Sequence, residues 1–571
     1  MHRESPDSTD ASTPDRSDAS APDWWRGTDD AASPRVLTDG GTAEGADETT
    51  LDPWGSATVS DYRKLFEEFG IEEFDEILDA VPHPHYLMRR GVIFGHRDYG
   101  RVAAAMRNDE PFAALSGFMP TGEPHIGHKL VFDEIIWHQE QGGDAYGLIA
   151  DLEAHSAREI PWDEIDEHAT DYILSLLALG FDPEAGTLYR QSENREVQDL
   201  AFELGAEANY SELQAIYDFH GGTDVSHMQS VVTQMADILY PQVVDEPKPT
   251  VIPVGPDQDP HMRLARDLAA RMRYFGVTEA YASFEATPAE RELLDRAWAA
   301  RESYAEEPDR PRCGEAAEWL EAADAAGDLD AAALAFSGGE TAAHGEEPAG
   351  QEHEVLTSIV DKLENAGKEP LRPRVRILDR NATEAAFEAL IEAVDGEKRV
   401  YDEHVDTFDL SREEAEELSR EVELDHGGYG FELPSSIYHR FMTGLTGGKM
   451  SSSVPASHIS LLDDPEEGYD KVKSATTGGR ETAEEQRELG GEPDDCPVYE
   501  LYAYLLAGDD DELATEVYEE CLGGDRLCGG CKEQAAELME AFLEDHQEKR
   551  EEWAEQLDEL EIELDSPRKR G

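Results

Sequence analysis

The sequence predicts an α/β protein built on a doubly wound parallel sheet, interrupted by an acidic insertion and finished by an all-helical region. Three observations predict it. Between residues 112 and 281, short apolar runs of strand length alternate with longer stretches of helical apolar spacing. Such alternation signals strand–helix–strand units, with ligands gathered at the strand C-terminal ends. Residues 282–427 then change texture, with 39 acidic against 15 basic residues. Beyond residue 470 the apolar spacing is helical.

Taken in order, residues 1–50 are rich in Asp, Ser, Thr, Ala and Pro with few large apolar side chains, and should form a disordered acidic tail. Residues 51–111 form an N-terminal extension. Tyr62, Leu65, Phe66, Phe69, Phe74, Ile77 and Leu78 predict short helices there, followed by a strand at Gly91-Val-Ile-Phe94. The first part of the α/β domain spans 112–281, with strands at 112–117, 145–150 and 250–254. Its helices fall at 129–141, 169–180 and 260–275.

In the insertion at 282–427, a Gly/Ala/Glu-rich stretch at 337–351 reads as a linker and 374–378 as a lone strand. Its role is open. The α/β domain resumes at 428–469 with an apolar helix expected at 435–445 and a Gly-Lys-Ser loop. Residues 470–565 are helical, the last helix running from 531 to 564, and 566–571 are a small basic tail.

Composition narrows the class. The chain has 571 residues, room for several domains on a prior of about 150 residues each. No run approaches the roughly 20 apolar residues of a membrane span, and the polar N-terminus excludes a secretory signal. Five Cys make no disulfide framework, so the expected compartment is a reducing cytoplasm. The net charge is −81, from 48 basic and 129 acidic residues. Ordinarily this would argue against a nucleic-acid partner. Here the acid excess runs along the whole chain, while Lys is scarce (12) and Arg is kept (36). That pattern resembles proteins of salt-loaded cytoplasm, where at about 1 M salt the Debye length is about 3 Å and self-repulsion is screened.

Two motifs carry chemistry. Pro120-Thr-Gly-Glu-Pro-His-Ile-Gly-His128 lies between a predicted strand and a helix, so its backbone N–H groups and helix dipole face an anion. His125 and His128, three apart, can both donate to phosphate oxygens, and Gly127 leaves room for a flat base. Gly447-Gly-Lys-Met-Ser-Ser-Ser453 is a flexible loop whose Lys449 can place positive charge on a phosphoryl group in a transition state. Read blandly, these are exposed histidines at a helix start and a polar surface loop.

Together, in this order, the two motifs resemble the H-I-G-H and K-M-S-S-S signatures of class I aminoacyl-tRNA synthetases. Further segments resemble the tryptophanyl branch, above all its archaeal form. These are Met88-Arg-Arg-Gly-Val-Ile-Phe-Gly-His-Arg-Asp98, Met235-Ala-Asp-Ile-Leu239, the run Ile252–Asp267 with its D-Q-D-P block, and Thr477-Gly-Gly-Arg480 with Glu484–Arg487 and Gly490-Gly491. The resemblance covers about 51–281 and 428–560.

It implies a Rossmann-like catalytic domain and a C-terminal anticodon-binding domain. The implied reaction is formation of tryptophanyl-adenylate from ATP and tryptophan, then transfer to tRNA(Trp). His125, His128, Lys449, Ser451 and Ser452 would serve the ATP phosphates, with Mg2+ carried on ATP. Thr121, Gly122, Gly127, Gly255 and Asp257 would line the nucleotide. Glu153, Gln234, Asp237 and Gln258 would hold tryptophan, Asp237 reading the indole N–H and Glu153 the ammonium. Leu115 and Leu148 stand where the eukaryotic branch has a Tyr and a Gln, which keeps a tyrosyl enzyme open as an alternative. A non-charging paralogue that binds tRNA or tryptophan is the other. Family likeness also implies a homodimer.

Cys496, Cys521, Cys528 and Cys531 are spaced C-x24-C-x6-C-x2-C. Four thiolates suit either a [4Fe–4S] cluster or Zn2+, and the spacing resembles a cluster motif of some bacterial members. Ordinary reduced thiols are the plain alternative. Finally, Lys449, Arg263, Arg266, Arg480 and Arg487 are expected to concentrate around the site and the tRNA path.

Overall fold

The computed structural model describes residues 69–280, 374–448, 450 and 454–557, with isolated positions within 62–66 and 287–362. The predicted tails and the 337–351 linker lie outside the described residues. The chain divides into two compact units, Met1–Leu268 with Glu432–Gly571, and Ala269–Phe431. Among the described residues, eleven strands form two sheets.

The first unit holds β1 (Glu72–Glu73), β2 (Ile93–Arg97), β3 (Ala113–Phe118), β4 (Asp144–Ile149), β5 (Gly186–Arg190) and β6 (Thr250–Val254). The second holds β7 (Phe275–Ala280), β8 (Arg374–Asp379), β9 (Lys398–Val400) and β10 (His404–Thr407), and β11 (Ser435–His439) returns to the first. The large sheet is ordered β1-β2-β11-β6-β3-β4-β5. Its five strands from β11 to β5 are parallel, and β2 and β1 add an antiparallel edge. From β3 the chain passes through the helix Ile126–Glu140 to β4 on one side, whereas β6 returns to the other side of β3. This reversal opens a crevice at the strand C-terminal ends, the usual place for a ligand in such sheets.

The helix expected at 435–445 is instead strand β11. All five of its residues are buried, and it is paired on both sides, parallel to β6 and antiparallel to β2. A strand buried on both faces loses its two-residue alternation, so a short apolar run does not distinguish it from a buried helix. Strand β5 escaped the sequence for the opposite reason, being polar and only partly buried.

The C-terminal region is helical as expected, ending in the 29-residue helix Cys528–Gln556. Ala535, Ala536, Met539, Leu543 and His546 face inward along one stripe. The first four join a continuous apolar core that reaches Phe118, Leu130 and Ile135 of the α/β layer. Arg90 of the extension is buried there too, donating to Asp511 (2.8 Å) and to the carbonyls of Ala503 and Gly508. It thereby satisfies helix-end carbonyls that would otherwise be orphaned.

The second unit is an antiparallel sheet ordered β7-β8-β10-β9, with the helices Glu384–Ala393 and Arg412–Asp425. Phe275, Val375, Ile377, Leu390 and Val405 form its own core. The unit starts ahead of residue 282 because β7 pairs with β8 and not with the large sheet. No helix among the described residues is long and apolar enough to cross a membrane.

Candidate active site

The crevice is a cavity of about 460 Å3. Its walls bring together nine of the residues singled out from sequence: His125, Gly127, His128, Glu153, Gln234, Asp237, Gly255, Asp257 and Gln258. Leu115 and Leu148 line it as well. Thr121 and Gly122 are not on its walls, and Thr121 is exposed. Lys449, Ser451 and Ser452 lie outside the described residues, but Met450 between them reaches the cavity.

The two motif histidines cap their own helix. His125 is the N-cap of Ile126–Glu140, and its Nδ1 accepts from the Gly127 N–H at 3.1 Å. His128 Nδ1 accepts in turn from the His125 N–H at 3.1 Å, completing a reciprocal capping box. Both Nδ1 atoms are therefore acceptors, which puts the proton of each neutral ring on Nε2. Burial, with the neighbouring imidazoles, holds His125 well below the usual histidine range and His128 at about 4. Near neutral pH the pair offers N–H dipoles, not positive charge. Gly127 is needed for this cap, since a Cβ there would lie 2.9 Å from His125 Cε1.

The chain after the Gly-Lys-Ser loop is stitched to the same motif. Ile126 N–H donates to Ile459 O (3.1 Å) and Leu461 N–H to Pro124 O (2.9 Å). Ser460 Oγ donates to Glu123 Oε2 at 2.6 Å. This brings a third ring, His458, to 5.1 Å from His125. The first motif and the segment that follows the second, more than 300 residues apart in sequence, are thus joined by backbone hydrogen bonds.

At the other end of the cavity two carboxylates are buried. Asp237 sits on the helix Val225–Leu239 and is fully inaccessible. Tyr189 Oη donates to its Oδ1 (3.0 Å) and Gln191 Nε2 to its Oδ2 (2.6 Å). Gln191 Nε2 also donates to Glu153 Oε1 at 3.2 Å. Burial pushes Asp237 well above the usual carboxylate range and Glu153 up to about 7, opposed in both by the Gln191 hydrogen bond. Gln191 is fixed by its neighbours in sequence. Buried Arg190 bridges Asp151 and Asp166 (both 2.8 Å), and Ser192 N–H donates to Asp151 Oδ1. Tyr189, Gln191 and His458 were missed by sequence reasoning because none lies in a motif, and β5, which carries Tyr189, was not recognised.

The cations differ from expectation. Arg158 and Arg440 are the arginines on the cavity wall. Arg440 lies over the rings of Tyr62 and Phe94 (4.8 and 5.8 Å), with Nε bound to Gly91 O. Arg263 pairs with Asp259, Arg266 with Asp98, and Arg480 with Glu492, while Arg487 Nη1 donates to Ala483 O. None of these four lines the cavity. They pair with acids or a carbonyl instead, Arg263 and Arg487 within their own helices.

The four C-terminal cysteines converge on a second, small and largely apolar cavity with Gly479, Tyr499 and Arg526. A Cβ at Gly479 would lie 2.2 Å from Cys528 Sγ, and one at Gly491 would lie 2.8 Å from Cys521 Sγ. Burial pushes the Cys521 and Cys531 thiols up to about 11 and about 12. Among the described residues, no three His, Cys, Asp or Glu side chains are arranged to hold a metal ion.

Against known proteins, the model of the family "tRNA synthetases class I (W and Y)" matches residues 107–287 and 407–544. The chain is 70% identical over 525 residues to Tryptophan--tRNA ligase 1 of Halobacterium salinarum, covering 92% of this chain and 98% of that protein. It is 44% identical to the Tryptophan--tRNA ligase of Methanosarcina acetivorans, covering 90% and 99%. In structure it is similar to the tryptophanyl-tRNA synthetase of Aeropyrum pernix K1, with a TM-score of 0.57 at 30% identity over 91% of this chain and 100% of that one.

Proposed function

The chain belongs to the class I tRNA synthetases for tryptophan and tyrosine and functions as a tryptophan–tRNA ligase, and on that premise we propose which residues do the work. The reaction joins tryptophan to the α-phosphorus of ATP with loss of pyrophosphate, then passes the tryptophanyl group to tRNA(Trp). The observation that carries the assignment of roles is one cavity with a histidine-capped helix start at one end and two buried carboxylates at the other.

At the phosphate end, the N-terminus of Ile126–Glu140 and the Nε2–H group of His125 face ATP, with the His128 ring beside them on the cavity wall. Both rings being neutral, positive charge has to come from elsewhere. Arg158 and Arg440 on the wall, Lys449 of the signature loop and the Mg2+ carried by ATP are the sources. Ser451 and Ser452 add hydroxyl donors beside Lys449, and Thr121, Gly122, Gly127, Gly255 and Asp257 attend the nucleoside. Because the transferred phosphorus is stabilised mainly by placed charge, these groups act by position and electrostatics. At the amino-acid end, Asp237 takes the indole N–H and Glu153 the ammonium, with Gln234 and Gln258 beside them. Leu115 and Leu148 supply apolar walls for the ring.

The remaining roles are proposals of the same kind. Residues 470–565 bind the anticodon arm, the working form is a cytoplasmic homodimer, and the acid excess suits a salt-loaded cytoplasm. Cys496, Cys521, Cys528 and Cys531 hold a [4Fe–4S] cluster or Zn2+ as a structural cross-link. Their convergence on one cavity supports this, as do the bare glycines beside two of the sulfurs. Iron and acid-labile sulfide in anaerobically purified protein test it, and absence of both iron and zinc sinks it.

The role of Lys449 is tested by Lys449→Ala in tryptophan-dependent pyrophosphate exchange. The activation rate should fall far more than tryptophan affinity, whereas equal losses would contradict a transition-state role.

A further inference from the structure

The helix Trp162–Leu179 touches two distant parts of the first unit within one turn. On one side Asp171 Oδ1 and Ser175 Oγ accept from the Arg550 guanidinium at 2.8 and 2.9 Å. Arg550 belongs to the long C-terminal helix Cys528–Gln556, and its side chain is largely buried. The next residue, Tyr172, places its Oη 3.2 Å from His128 Nε2. Because His128 Nδ1 is taken by the His125 N–H, it is the Nε2 proton of His128 that Tyr172 Oη accepts. The Tyr172 ring is buried against Phe118 and Phe132, with centroids at 5.9 and 6.2 Å, so its hydroxyl has little room to swing. Packing alone would be served by phenylalanine. The hydroxyl does something more, since it receives one of the two imidazole N–H groups of the motif.

We propose that Tyr172 is a positioning residue for His128, and that Arg550 positions Tyr172 through Asp171 and Ser175. The C-terminal helix thereby helps set the aim of the ATP motif. This rests on the reading of His128 as an ATP-binding residue. The Nδ1 cap fixes one edge of the imidazole and the Tyr172 hydroxyl fixes the other. With the hydroxyl gone, the ring keeps a single restraint, and ATP has to order it on binding and in the transition state. The tryptophan end of the cavity is not involved.

The test is tryptophan-dependent pyrophosphate exchange in molar KCl with the full chain, for wild type, Tyr172→Phe, Arg550→Met and the double variant. Tyr172→Phe should lower kcat/KM for ATP by about tenfold, the worth of one ordinary hydrogen bond. The KM for tryptophan and the thermal midpoint should stay close to wild type. Arg550→Met should lower the same ratio by roughly threefold or more, and the double variant should resemble Tyr172→Phe alone, because the two act in series. Asp171→Asn provides the same break from the other partner should Arg550→Met fold poorly. An unchanged kcat/KM for ATP in Tyr172→Phe would overturn the proposal, as would losses that simply multiply in the double variant. His128→Ala separates the two levels. If it is impaired while Tyr172→Phe is not, the relay alone fails. If His128→Ala is fully active, the ATP role of His128 fails and the relay with it.

Discussion

Gln191 Nε2 donates to Asp237 Oδ2 at 2.6 Å, and the same nitrogen lies 3.2 Å from Glu153 Oε1. One amide thus ties the carboxylate assigned to the indole to the one assigned to the ammonium. It also explains why two buried acids can share one end of a cavity, since each is partly satisfied without a cation.

Removing that amide should uncouple the two. Gln191→Leu keeps the approximate volume and leaves Asp237 and Glu153 short of a donor. Tryptophan affinity should fall by about tenfold or more, because a buried carboxyl left without its donor costs most of its desolvation. The KM for ATP should be little changed. Calorimetric titration with tryptophan checks this, and an affinity within about twofold of wild type would refute it.

Asp237→Asn should weaken selection for the indole N–H. Wild type should prefer tryptophan to its benzothienyl analogue, which lacks that donor, by at least about tenfold, since the site is built to receive it. The variant should lose most of this preference. Activation rates with the two amino acids measure it. A preference undiminished in the variant would move the indole reader elsewhere.

The binding of tryptophan should depend on pH through Glu153. Burial holds its carboxyl at about 7 in the folded protein, against 4.5 for an ordinary glutamate. Between these values the folded state binds the extra proton. Its contribution to stability is therefore full below about 4.5 and is lost as pH rises through about 7. The ammonium of tryptophan needs the ionised form, so affinity should rise with pH across the same window, with proton release on binding below pH 7. Titration in buffers of different ionisation enthalpy would show it, and Glu153→Gln should abolish the release. A wild type that releases no proton at pH 6 would count against the assignment.

Gly127→Ala opposes two effects. Alanine favours a helix by about 1 kcal/mol over glycine, while loss of an N-cap costs about as much. Thermal stability should therefore change little. Its Cβ would nevertheless meet the His125 ring at 2.9 Å. The displaced ring should lower the activation rate by at least about tenfold with tryptophan binding intact. Parallel calorimetry and pyrophosphate exchange separate the two effects, and an unchanged rate would argue that the cap geometry is dispensable.

Much of this site was legible in the residues. The strand before Pro120 and the helix after it follow from apolar spacing, and the Gly255–Gln258 turn follows from the end of an apolar run. What stayed hidden is long-range. Tyr189 stands on a half-exposed edge strand and Gln191 just past its end, neither in a motif, and they matter only because Asp237 folds over them. His458 reaches His125 through a backbone pairing that no local pattern encodes. Strand β11 was hidden by being too well buried. Net charge misled in a different way. A chain of −81 still lines its cavity with Arg158 and Arg440, while the arginines expected there pair with acids or cap carbonyls elsewhere.

The most direct test of the account is pyrophosphate exchange by the full chain in molar KCl, with tryptophan and with tyrosine as the amino acid, in wild type and Asp237→Asn. The account predicts exchange with tryptophan, little with tyrosine, and a large loss with tryptophan in the variant. Exchange that proceeds equally well in Asp237→Asn, or that tyrosine supports as well as tryptophan, would contradict it.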